Sequence, residues 1–173
     1  MEIPNTSTNN SCNTKQSKLI TNTFPHKKPR VSIITVVFNG EQHLEETIQS
    51  IISQTYENFE YIIIDGGSTD TTLKIIEKYA HQIDYWISEK DQGISDAFNK
   101  GVLIAKGDYI NFQGDGDGFF DKKSLAKIMY EVDMVTDIFV SGRVQRISPI
   151  GDKLYLSRYE KNSTKNLYYL RCR

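Results

Sequence analysis

The chain has 173 residues, 38% hydrophobic and 25% charged, with a net charge of −1, which suits one globular domain able to bury a real core. Residues 1–30 carry five Lys/Arg against one acid, residues 31–145 nine against nineteen, and residues 146–173 seven against two. An acidic centre argues against a nucleic-acid groove, because phosphate backbones need clustered cations, and it suits a site that recruits its own cation. The basic ends read as solvated tails, with at most peripheral contact to anionic lipid at the inner membrane face. The two cysteines, Cys12 and Cys172, lie in the tails and form neither a disulfide framework nor a CxxC metal pattern, so a cytoplasmic setting is the default. No apolar run approaches a membrane span, and no signal-peptide core is present.

Residues 1–29 are polar and predict a disordered leader. Val31 to Phe38, VSIITVVF, is a β-branched and nearly continuous apolar run, as expected of a strand buried on both faces of a parallel sheet. Asn39-Gly40 ends it, and Leu44, Ile48, Ile51 and Ile52 then recur at helical spacing, predicting a helix over 41–54. The pattern repeats: a strand over 59–64, the turn DGGSTD with Ser68 and Asp70 as helix caps, and a helix carrying Leu73, Ile76, Tyr79 and Ala80. A short strand over 84–87 follows, then the loop SEKDQG and a third helix ended by Gly107 in a left-handed cap. The fourth strand, 108–112, runs into the acidic turn QGDGDGFF, where Gly114, Gly116 and Gly118 can take positive φ. Beyond it, VQRISPIGDKLYLSRY suggests a hairpin turning at 149–152. The expected division is a leader to 29, a binding domain over 30–142, and a short acceptor-side segment over 143–173.

Strict βα alternation predicts an α/β fold, a Rossmann-like and mainly parallel sheet with helices on both faces. Ligands bind such sheets beyond the carboxyl ends of the strands, and that edge gathers Asn39, Asp65, Gly66, Gly67, the loop 88–93, Asp115 and Asp117. Asp115 and Asp117 are either solvated turn acids or hard oxygen ligands for a divalent cation. Asp65 is either a turn former or an acceptor for a nucleobase imide, with Gly66 leaving room for the base. The first strand is followed by FNGEQH, so the GxGxxG dinucleotide fingerprint is missing, and no GxxxxGK[ST] occurs. An EF-hand reading of DGDGFFDKKSLA fails at Phe119, Phe120 and Ala126. His26, His43 and His81 suggest no nucleophile–base arrangement and read as surface residues.

VSIITVVFN, FEYIIIDGGSTDTT, SEKDQGISDAFNKG and GDYINFQGDGD, in this order over about Pro29 to Gly142, resemble the family 2 glycosyltransferases, which have the GT-A fold. The wording DQGISDAFNKG is most similar to the bacterial branch that builds capsule, exopolysaccharide and lipopolysaccharide.

The resemblance implies inverting transfer of a sugar from a UDP- or GDP-sugar donor to a glycan or lipid-linked acceptor. It implies that Asp65 contacts the base and that Asn39 lies in the first donor loop. Asp91 and Gly93 would lie under the donor, with Asp96 and Asn99 on the following helix. Asp115 and Asp117 would bind the donor diphosphate through Mn²⁺ or Mg²⁺. Where many members have adjacent aspartates this chain has Gly116-Asp117, which places the metal first on Asp117 and then on Asp115. The catalytic base of the family lies well beyond this turn, and neither Asp137, Asp152 nor Glu160 stands in its context. Two expectations follow: an active transferase, or a donor-binding fragment without turnover. Nucleotidyltransferase chemistry fits less well, since the Gly-rich basic loop it needs after the first strand is absent.

Overall fold

A computed structural model of the chain describes residues 28–132 in full and, beyond them, the backbone of four short strands. The predicted leader up to residue 27, with Cys12 and His26, lies outside the described residues, as do Asp137, Asp152, Glu160 and Cys172.

The elements follow in the order β1 Val31–Val37, α1 Leu44–Ile52, β2 Phe59–Asp65, α2 Thr72–Tyr79, β3 Tyr85–Ser88, α3 Ile94–Ile104, β4 Tyr109–Gly114, α4 Ser124–Glu131, β5 Phe139–Val140, β6 Gln145–Ile147, β7 Lys153–Leu156 and β8 Tyr169–Arg171. The main sheet has the order β3-β2-β1-β4-β8-β5. Its first four strands are parallel, and β8 runs antiparallel to both β4 and β5. Residues beyond 142 therefore supply one strand of this sheet as well as the antiparallel pair β6–β7.

All seven residues of β1 are buried, because the strand lies inside the sheet with helices on both faces. Alternate side chains divide between two cores, as the two-residue period of a strand requires. Ile33, Val37, Tyr61, Ile63 and Tyr109 pack under Leu44, Ile48 and Ile51 of α1, Ile76 of α2 and Leu125 and Met129 of α4. Ile34, Val36, Ile62, Ile64 and Ile110 pack under Ala97 of α3 on the opposite face. No helix among the described residues is long and apolar enough to cross a membrane.

Two local expectations are corrected. Helix α1 is shorter than 41–54 at both ends, which frees Glu41 and Gln54 for contacts to other loops. Gly107 is not a left-handed cap: α3 ends at Ile104 with Ala105 extended, and Gly107 has no positive φ. A Cβ there would come within 2.6 Å of the Ser32 nitrogen and 2.9 Å of the Arg30 oxygen, so glycine is needed for backbone approach rather than for handedness. That same amino edge of the sheet holds buried Glu60, which accepts from Ser32 Oγ and the Lys106 amide and pairs with Arg30 at 3.1 Å.

Candidate functional site

The loops after β1 and β2 are fastened to each other at the carboxyl edge of the sheet. Asn39 takes a left-handed φ of 53°, which asparagine tolerates better than most residues. Its amide donates to Ser68 Oγ at 2.7 Å, and its Oδ1 accepts from the Thr69 amide at 2.9 Å. The Gly40 amide donates to Thr72 Oγ1, the Glu41 amide to Asp70 Oδ2, and the Thr71 amide and hydroxyl both donate to Glu41 Oε2. Asp70 also accepts from the Thr72 amide, but it precedes the N-cap of α2, which is Thr71 and has no side-chain cap bond, so the expected Asp70 cap is corrected as well. Ser68 does not cap, contrary to the sequence expectation: its hydroxyl donates to Asp65.

Asp65, the last residue of β2, is fully buried. Its carboxylate accepts from the Gly67 and Ser68 amides at 3.2 and 3.0 Å, from Ser68 Oγ, and from Ser88 Oγ at 2.5 Å. It therefore holds the rim of β2 to that of β3. Gly66 is buried against Asp91, whose Oδ2 would lie 2.6 Å from an added Cβ. Asp91 in turn accepts from the Gly93 amide, and Asp96 from the Gln92 amide. Gly93 has φ 111° with open space before it, and Asn99 is exposed on α3. The structure thus brings Asn39, Asp65, Gly66 and Asp91 to adjacent rim loops.

The acidic turn closes the other side. The Asp117 amide donates to the Gly114 oxygen, while Asp117 Oδ2 accepts from the Gly114 amide at 2.8 Å. Gly116, third in this turn, has φ 84°, the value for which a type II turn needs glycine. Neither Gly114 nor Gly118 has positive φ. Asp115 points inward against Gly40, and its Oδ1 is buried with no hydrogen-bond partner. Burial holds its carboxyl above the ordinary carboxylate range, with the charges of Asp70 and Asp117 adding and His43 opposing. An open cavity of about 440 Å³ is lined by Asn39, Gly40, Glu41, Gln42, His43, Thr69, Asp70 and Asp115.

Residues 32–172 match the description "Glycosyl transferase family 2". The chain belongs to that family. It is 38% identical over 102 residues to an uncharacterized glycosyltransferase of Haemophilus influenzae, covering 57% of this chain and 40% of that one. It is 36% identical over 103 residues to a PGL/p-HBAD biosynthesis glycosyltransferase of Mycobacterium bovis, covering 58% and 40%. Among solved structures, S. aureus TarS 1–349 in complex with UDP-GlcNAc superposes with a TM-score of 0.52 at 26% identity, covering 57% of this chain and 29% of that one. A mannosyltransferase of Pyrobaculum calidifontis in complex with GDP-Man and Mn²⁺ superposes at 0.62 with 22% identity, covering 70% and 37%, a likeness of fold. The chain spans 40% or less of the length of each of these relatives.

The family 2 membership gives the orphaned Asp115 oxygen a context. Among the described residues no three His, Cys, Asp or Glu side chains converge on one cation site. One or two carboxylates are nevertheless enough for a hard cation that takes its remaining ligands from phosphate and water. A buried acceptor with no donor fits that role, and Asp115 supplies it more directly than exposed Asp117, whose Oδ2 is engaged.

Two rim residues escaped the sequence reading. Phe38 is 63% exposed at the end of an otherwise buried strand; an aromatic residue directly before a turn asparagine was the available signal. His43 lines the cavity beside Asp115, whereas the sequence placed it on a bland helix face.

Proposed function

We propose that this chain is the donor-binding part of a family 2 glycosyltransferase that moves a sugar from a UDP- or GDP-sugar to a glycan or lipid-linked acceptor with inversion. The observation that carries this reading is the buried, unpartnered Asp115 oxygen at the carboxyl edge of β4, beside a polar cavity. Asp115 and Asp117 would be the residues to hold Mn²⁺ or Mg²⁺, which when bound would supply Lewis-acid stabilisation of the charge developing on a leaving nucleotide diphosphate. Asn39 and Asp65 shape the floor through the loops they fasten, and exposed Phe38 offers a face on which a base can stack. Asp91 and Gly93 border the donor from the loop before α3, and Asp96 and Asn99 from α3 itself. The relatives that carry UDP-GlcNAc, or GDP-Man with Mn²⁺, support the donor class. The relative named for PGL/p-HBAD biosynthesis supports a biosynthetic role, which we place in cell-surface polysaccharide synthesis at the cytoplasmic face of the membrane.

A second reading is favoured by one observation. Among the described residues lining the cavity, Glu41 and Asp70 are spent on loop hydrogen bonds, and the disengaged carboxylate, Asp115, is the one assigned to the cation, which leaves none there as a general base. On that reading this chain binds donor without turning it over. Titration with UDP and GDP, with and without Mn²⁺, tests the shared claim: affinity that Mn²⁺ does not raise for either nucleotide would overturn it. Acceptor-dependent release of nucleotide diphosphate then separates the two readings.

A further inference from the structure

Helix α1 carries two stripes. Leu44, Ile48 and Ile51 face the sheet, while Thr47 and Ser50, three residues apart, align along another face of the helix, and Gln54 follows just past its end. The backbone that follows the acidic turn lies along this polar stripe. The Gly116 amide donates to Thr47 Oγ1 at 3.0 Å, and the Phe119 amide to Ser50 Oγ at 3.3 Å. Gln54 Nε2 donates to the Asp121 oxygen at 2.9 Å, and Gln54 Oε1 accepts from the Leu125 amide at 3.0 Å. The Thr55 amide donates to the Lys122 oxygen at 2.8 Å. The approach is close: a Cβ on Gly118 would come within 2.8 Å of Ser50 Oγ.

These bonds satisfy amides and carbonyls of a loop that no sheet ladder reaches. Their uppermost member falls at Gly116, between the two carboxylates. The turn is closed on one side by the Gly114–Asp117 bonds, and the Thr47 hydroxyl fixes the rotation of its middle peptide on the other. Thr47 is 1% exposed, so it does not meet a ligand and can act only through the turn.

We propose that Thr47, supported by Ser50 on the next turn of α1, is the positioning residue that presents Asp115 and Asp117 to a cation-bound nucleotide diphosphate. This rests on the donor-binding reading given above. Without the Thr47 acceptor for the Gly116 amide, the peptide joining Asp115 to Gly116 is free to rotate, and the two carboxylates on either side of Gly116 shift from where the turn now holds them. The carboxylates would remain, but the turn would no longer fix their positions.

The test uses the whole chain with Thr47→Val, which keeps the shape and removes the acceptor, and Thr47→Ser, which restores it. Binding of UDP and GDP with and without Mn²⁺, and of the matching nucleosides, is measured beside amide exchange at Gly116. Thr47→Val should lower the Mn²⁺-dependent gain in diphosphate affinity by about tenfold and speed Gly116 exchange by about as much, the loss of one hydrogen bond. Nucleoside affinity should stay within about twofold, and Thr47→Ser should return both quantities to the parent values. Ser50→Ala should move them in the same direction by less, which keeps the test open if Thr47→Val does not fold. A parent that shows the Mn²⁺ gain while Thr47→Val retains it in full overturns this proposal alone. So does a variant that melts earlier with the gain intact. A parent with no Mn²⁺ gain for either nucleotide overturns the donor reading and this proposal with it.

Discussion

Asp115 lays its carboxyl group against Gly40, so that a Cβ at position 40 would come within 2.7 Å of both its Cγ and its Oδ2. The first loop and the acidic turn are thus in direct contact across the ends of β1 and β4, and a methyl group at position 40 has nowhere to go. Gly40→Ala must displace either Val37, whose methyl group blocks the other side, or Asp115 itself. The expected outcome is a stability loss of about 1–3 kcal/mol, together with loss of the Mn²⁺-dependent part of nucleotide affinity. Thermal melts and nucleotide titration measure the two effects separately.

Asp115 and Asp117 should respond differently to substitution. Asp115→Asn keeps the shape of the side chain and removes a charge whose burial is costly. Its unfolding temperature at pH 7 should rise, by on the order of 1 kcal/mol of stability, while the Mn²⁺-dependent affinity disappears. Asp117→Ala, at an exposed position, should leave the fold intact and abolish that same part of the affinity if Asp117 is also a ligand. Melting curves and isothermal titration with Mn²⁺ decide which of the two carboxylates the cation uses.

Asp65→Ala removes the acceptor of two amides and two hydroxyls at a fully buried position. The donors of Gly67, Ser68 and Ser88 would be left unpaired, at a cost of about 2–4 kcal/mol. Nucleoside binding should weaken by about 1–3 kcal/mol whether or not metal is present, because the floor on which the base rests loosens. Equal nucleoside affinity in variant and parent would sink the assignment.

The chain should lose stability in alkali. Tyr56 is 2% exposed, donates to the Pro29 oxygen, and burial pushes its phenol up to about 12; Tyr61, hydrogen-bonded to Thr35, is also pushed up by burial. In the unfolded chain a phenol ionises near 10, so above that pH the unfolded state gives up its proton first. The contribution is fully present below about pH 10 and is lost as pH rises to about 12. Tyr56→Phe should flatten part of that decline and, at pH 7, cost about 1 kcal/mol for the unpaired Pro29 carbonyl. Denaturant melts between pH 8 and 12 would show both effects.

Much of the fold was legible in the chain itself, because its signals are local. Largely apolar runs at 31–37 and 59–64, rich in Val and Ile, suit strands buried on both faces of a sheet, and the helical spacing of Leu44, Ile48 and Ile51 requires a sheet to cover. Alternation of the two then places Asn39, Asp65, Asp91 and Asp115 on one edge whatever the details of packing.

What each of those residues does there was decided only by the tertiary structure, because it depends on partners distant in sequence. Asp65 was read as a turn former or a base contact and Asn39 as part of the donor loop, and their oxygens hold the neighbouring loops together through Ser68, Thr69 and Ser88. Asp115 became the orphaned acceptor because Gly40, seventy-five residues earlier, leaves room for it to turn inward. Gly107 read as a helix cap because its real constraint, the backbone of Arg30 and Ser32, lies on another strand. Thr47, Ser50 and, just past the helix, Gln54 carried no signal, since polar residues on and beside an amphipathic helix are indistinguishable from a solvated face until the loop that covers them is in place. Periodicity is a property of neighbours along the chain, whereas hydrogen-bond partnership is settled only when the chain has folded.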